Sequence, residues 1–144
     1  MAQAACASTW MHNENGHNPH ARLVDPNVTA DQRTYALFMH LSLIATQIIP
    51  FAIVILPLIM WQIKKDDSRF LDDHGRETVN FHISLLLYSV GIVLLSLITC
   101  GLAAVAVVPL YILGIVGMIM GAIAANRGEY FRYPATIRLV GPPQ

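Results

Sequence analysis

Three apolar stretches, residues 35–63, 79–98 and 102–125, constrain this chain more than any other feature. A helix needs about 20 consecutive apolar residues to cross the roughly 30 Å hydrocarbon core of a bilayer, and each stretch reaches that length. Soluble domains carry roughly a quarter charged residues. Here the share is 12%, and it is concentrated between the apolar blocks. The expected fold class is therefore an all-α integral membrane protein with three transmembrane helices. Nine Lys plus Arg balance nine Asp plus Glu, so net charge points to no nucleic acid; the lipid bilayer is the expected partner.

Organisation follows from the blocks. Residues 1–29 mix Asn, His, Pro, Gly and Ala without period and read as a disordered polar tail. His12, His17 and His20 lie there without Cys or carboxylate support, so no metal site is expected from them. Neither a basic n-region nor an apolar h-region opens the chain, and the first span is expected to act as the targeting signal. Thr29-Ala30-Asp31-Gln32 has the capping-box form, so a helix should begin at Ala30. Residues 30–140 then form the helical membrane domain, and 141–144 a short tail.

Pro50 and Pro57 lie inside the first block, where each removes a helical hydrogen bond and a kink is expected. The dense charged run 64–77 is expected in water or at headgroups, with Asp72 or Asp73 capping the second long helix. Thr99-Cys100-Gly101 reads as a tight turn and Gly128 as the end of the third helix. Tyr130, Phe131 and Tyr133, with Arg127 and Arg132, read as an interfacial collar. Cys6 and Cys100 suggest neither disulfide nor metal spacing.

With three spans, the loop bearing Lys64, Lys65, Arg69 and Arg76 and the C-terminus are cytoplasmic by the positive-inside rule, in a bacterial inner membrane, and the N-terminal tail is outside. The alternative is a re-entrant or broken helical hairpin in the first segment, which brings every basic residue to the cytoplasmic side. Two considerations weigh against it. Each half reaches only about 20 Å, and an apolar turn at Ile48-Ile49-Pro50 leaves backbone groups unsatisfied in lipid. In the three-span arrangement His40 and the start of the second helix cannot touch.

Two surfaces are candidates for function. Gly114, Gly117, Gly121 and Ala125 form a small-residue stripe that lets another helix approach closely, within the chain or from a second copy. His40, Gln47, Asn80, Ser84 and Tyr88 are polar within apolar blocks, and Arg76, Asn80, Ser84, Tyr88 and Gly91 share one helical face. That face is either a buried hydrogen-bonded seam or a crevice for an ion, a headgroup or a peptide segment. His74 and His82 match no zinc spacing, and no nucleophile motif, phosphate loop or dinucleotide turn occurs. No catalytic, cofactor or metal residue is expected, and the chain is not expected to be an enzyme.

Three segments carry a family resemblance: Tyr35-Ala36-Leu37-Phe38-Met39-His40-Leu41-Ser42, Pro57-Leu58-Ile59-Met60-Trp61-Gln62-Ile63-Lys64-Lys65-Asp66, and Phe70-Leu71-Asp72-Asp73-His74-Gly75-Arg76-Glu77-Thr78-Val79-Asn80-Phe81. With Gly128-Glu129-Tyr130-Phe131-Arg132-Tyr133-Pro134, the chain over about residues 33–140 resembles a family of small bacterial membrane proteins with a domain of unknown function. That family is similar to the Tic-twenty component of the chloroplast inner-envelope translocon. The resemblance implies a non-enzymatic membrane subunit, assembly- or translocation-related, and the small-residue stripe adds that it packs with partner helices or with itself. The other functional expectation is a small oligomeric channel or carrier with a polar path along the second helix.

Overall fold

A computed structural model of the chain describes residues 22–45 and 52–141. The polar tail to residue 21, with its histidines and Cys6, lies outside the described residues, as do residues 46–51, which include Gln47 and Pro50. The described elements are α1 (Ala30–Ala45), α2 (Ala52–Lys64), α3 (Arg69–Ile98), a 3-10 turn (Leu102–Ala106) and α4 (Val107–Arg127).

Local chemistry sets most boundaries. Thr29 and Gln32 exchange their capping-box bonds, both at 3.2 Å, and α1 starts at Ala30. Neither Asp72 nor Asp73 caps α3. Ser68, in extended conformation, accepts from Leu71 N at 3.2 Å, and the helix starts four residues earlier than Asp73. Both acids, with Arg69, Arg76 and Glu77, are thus helical rather than part of a loop. Pro109 falls in the first turn of α4, where its missing N–H has no helical partner to lose. Gly128 ends α4 at φ 72, with Gly128 N and Glu129 N bonding Ala125 O and Ala124 O.

The first apolar block does not span as one helix. Tyr35 Oη donates to Met60 O at 2.9 Å, whereas a continuous helix would hold those residues about 37 Å apart. α1 and α2 therefore lie side by side as two separate helices, and the expected three spans are not confirmed. At 16 and 13 residues each is shorter than a helix needs to cross a bilayer.

Among the described residues, α3 and the 3-10 turn with α4 (Leu102–Arg127) are the two helical segments long and apolar enough to cross a membrane, and only 22% and 17% of their most apolar windows are buried inside the chain. A soluble core helix of that length would be mostly buried. Leu97, Ile98, Leu102 and Val105 are each more than 70% exposed, with a continuous apolar surface running back along both helices; a chain in water does not leave such a patch bare. α1 packs antiparallel on α4, with Arg33 beside Gly128, His40 beside Gly121 and Leu43 beside Gly114. α2 packs on the start of α3, where the Trp61 ring occupies the space that a Cβ on Gly75 would fill.

Every described terminus and the 64–69 connection meet at one end. Asp25 N bonds Gly128 O, Tyr130 N bonds Leu23 O, and Arg22 pairs with Glu129 at 3.3 Å. The N-terminal segment is therefore beside the C-terminal segment, not opposite it.

Candidate functional site

The polar end encloses a buried cluster. His40, His74, Thr78, Asn80, His82 and Ser84 are at most 1% exposed, with Asp73 and Glu77 nearly so. Buried polar groups need partners, so each of these constrains its neighbours.

The two histidines form a directed chain. His74 Nε2 lies 3.1 Å from Glu129 O, and a carbonyl only accepts, so Nε2 carries the proton. His74 Nδ1 is then the acceptor for His40 Nε2–H at 2.7 Å. His40 Nδ1 in turn accepts from Tyr133 Oη at 2.6 Å. One carbonyl thus sets both tautomers. Thr78 Oγ1 has one proton within reach of His74 O at 2.8 Å and His40 Nδ1 at 3.0 Å. His82 Nδ1 donates to Thr78 O at 2.7 Å, while its Nε2 is buried without a partner among the described residues. Contact between His40 and the start of α3, expected to be absent, is a central feature of the fold.

The glycine stripe makes room for this chain. A Cβ on Gly121 would lie 2.7 Å from His40 Nδ1 and 2.8 Å from Tyr133 Oη; one on Gly117 would lie 2.7 Å from Phe81 Cζ. Gly114 and Ala125 are buried as well. The close approach that the stripe permits is therefore made inside the chain, by α1 and the C-terminal segment. Phe131 and Tyr133 are 3% exposed, with Tyr133 stacked on Phe81 at 3.9 Å. They fold inward instead of forming a collar, because the two glycines open a slot for them.

The charged run is likewise partly internal. Asp73 takes a two-pronged pair from Arg132 at 2.6 Å on each oxygen, and Glu77 accepts from Arg138 Nε at 3.1 Å. The Asp73 hydrogen bond holds the Arg132 guanidinium above its ordinary value. Asp72 accepts from Trp61 Nε1 at 2.8 Å and from Arg76 Nε at 2.9 Å. Burial, followed by the Asp25 carboxylate, pushes the Tyr130 phenol up to about 12. Lys64 pairs with Asp67 at the surface.

The polar face of α3 is occupied by the chain itself. Tyr88 Oη donates to Ala135 O at 2.8 Å, and Ser84 Oγ accepts from Ile137 N at 2.8 Å. Asn80 accepts from Leu139 N at 3.0 Å and Val140 N at 2.8 Å and donates to Val140 O at 3.0 Å; Arg76 donates to Gly141 O at 2.8 Å. The register is regular. Each four-residue step on α3 rises about 6 Å, and two residues of open chain cover at most about 7 Å. Residues 129–135 descend beside α3, turn at Pro134-Ala135 and return to Gly141 as a re-entrant loop. Its backbone donors and acceptors are taken up by the row that the sequence offered as a crevice or path.

Among the described residues no group of three or more His, Cys, Asp or Glu is arranged to hold a metal ion. The arrangement defines a class: a helical membrane protein in which two long apolar helices carry, at one polar end, a pair of shorter helices and a re-entrant C-terminal loop locked by a histidine–tyrosine chain. The chain belongs to the magnetosome magnetite crystal formation protein family, MamF/MmsF, whose model matches residues 31–140. No curated protein and no solved structure matches it. The small bacterial membrane-protein family expected from the sequence is thus one with a named role, and the comparisons give no support to a likeness with the Tic-twenty translocon component.

Proposed function

We propose that the chain serves magnetite crystal formation as a non-enzymatic structural component of a bacterial membrane. α3 and α4 cross the bilayer, while the α1–α2 hairpin and the C-terminal loop enter and leave from the same face. The observation that carries this reading is the family match, which runs from the first turn of α1 to the end of the C-terminal loop and so covers the whole locked unit. All nine Lys and Arg, from Arg22 to Arg138, belong to segments gathered at the polar end. The positive-inside rule supports a cytoplasmic placement for that end in the inner membrane or a compartment derived from it. A membrane domain of residues 30–140 that organises the mineral-bounding membrane, with protein partners or further copies, fits these features.

The test is a magnetite-forming strain in which expression of this chain is set at graded levels. A structural component acts by amount, so crystal size in electron micrographs should rise steadily with the protein present. Normal crystals without the chain, or full-sized crystals restored by trace amounts as a catalyst would restore them, would overturn the reading.

A further inference from the structure

A niche of about 430 Å³ opens beside the end of α4, between Arg22, Leu23, Met120, Tyr130, Phe131 and Arg132. Its two sides differ in chemistry. On the apolar side, Met120 and Leu23 are 42% and 71% exposed, and Met120 continues the bare apolar surface of α4. On the polar side stand two guanidiniums. Arg22 lies over the Phe131 ring at 4.9 Å and spends one N–H on Glu129 at 3.3 Å, leaving most of its five donors open among the described residues. Arg132 holds Asp73 with both terminal nitrogens, reaches Phe131 O at 3.1 Å and stands 3.6 Å from Glu77, so it adds positive charge and about one open N–H, with its side chain 49% exposed. Glu129 stands between Arg22 and Arg127, at 3.3 Å and 4.0 Å, so one carboxylate serves two cations.

Met120 lies seven residues before the end of α4, about 10 Å along the axis. The niche thus spans the zone where a bilayer passes from acyl chain to headgroup, a few ångströms deep on each side. Surplus guanidinium donors above an apolar slot match an amphiphile that carries a negative group directly over hydrocarbon. A free anion would leave the slot unfilled, and a zwitterionic lipid would bring its choline cation up against the same guanidiniums.

We infer that the Arg22–Met120–Arg132 niche binds one anionic phospholipid, its phosphate on the guanidiniums and its first methylenes against Met120 and Leu23. This rests on the membrane reading above. Membrane fractionation tests that reading separately, since the chain would sediment with membranes whether or not the niche is selective.

The full chain, purified in detergent, is titrated with dioleoyl phosphatidylglycerol, dioleoyl phosphatidylcholine or inorganic phosphate. Bound lipid is counted by native mass spectrometry and the unfolding temperature is followed. Phosphatidylglycerol should be retained as one molecule per chain and raise the unfolding temperature above the phosphatidylcholine value. Arg22→Ala should weaken retention on the order of tenfold, the loss expected for a charge-assisted hydrogen bond. Leu23→Glu changes only an exposed side chain and should do the same with the fold intact, whereas Lys64→Ala, which alters only a surface pair with Asp67, should bind like the parent. Equal retention of the two lipids, an equal effect of inorganic phosphate, or undiminished retention by both Arg22→Ala and Leu23→Glu would overturn the inference.

Discussion

Gly114 and Gly121 belong to one stripe, yet the structure assigns them opposite tolerances. A methyl group on Gly121 meets His40 Nδ1 at 2.7 Å and Tyr133 Oη at 2.8 Å, and these two atoms are bonded to each other at 2.6 Å. Neither is a free side-chain end, so Gly121→Ala must part the histidine chain from its tyrosine. The expected cost is about 1–3 kcal/mol, the range for overpacking a filled site. At Gly114 the nearest atoms, in Leu43 and Leu85, are 3.6 Å away, an ordinary contact. Gly114→Ala should be neutral or stabilising by up to about 1 kcal/mol through helix propensity. Thermal unfolding of both variants in detergent checks this pair, and a stripe that packed only against other chains would show no such difference. Spacing revealed the stripe but not what fills it, because small residues state that something approaches and leave its identity to distant parts of the chain.

At the scale of the element, the row Arg76, Asn80, Ser84 and Tyr88 was legible as a polar helical face, and its regular spacing followed from periodicity alone. Its ligand was not, since residues 135–141 show no pattern of their own and acquire a conformation only by lying on α3. The physical need runs the other way as well. Non-helical backbone packed along an apolar helix must have its N–H and C=O groups satisfied by protein, and the row supplies that. Asn80→Ala removes three bonds, to Leu139 N, Val140 N and Val140 O. Each orphaned group costs about 1–3 kcal/mol if it stays buried, so the loop should instead lift away locally. Amide exchange at Leu139 and Val140 should accelerate at least tenfold, with α4 amides unchanged. Unchanged protection at those two positions would mean that the loop is held by something other than this row. The capping box at Thr29 and Gln32 was readable because all its atoms lie within one turn. By contrast, the cap at Ser68 was missed because two acids further on carried a stronger sequence signal than one serine.

For the molecule as a whole, the decisive feature is the proposed hairpin of α1 and α2, and length alone pointed away from it. The premise was that each arm had to cross the bilayer. An arm of 16 or 13 residues reaches only about 20–24 Å, which is enough for an element that enters and returns. Burial of His40 against His74 and Thr78 then gives the intramembrane histidine the partners that the three-span arrangement denied it. The two arrangements place the N-terminal segment on opposite faces, so single cysteines separate them. In a background with Cys6→Ser and Cys100→Ser, Asp31→Cys, Asp67→Cys and Arg127→Cys report on the start of α1, the α2–α3 connection and the end of α4. The native Cys100, exposed in the turn between α3 and α4, reports on the far end when Cys6 alone is replaced. An impermeant thiol reagent applied to right-side-out vesicles should label Cys100 alone, and the other three should label only in inverted vesicles. Labelling of Asp31→Cys together with Cys100 from one side would return the first segment to a single span. Labelling of Asp31→Cys with Asp67→Cys requires the chain to double back between them, which within one bilayer only a hairpin allows.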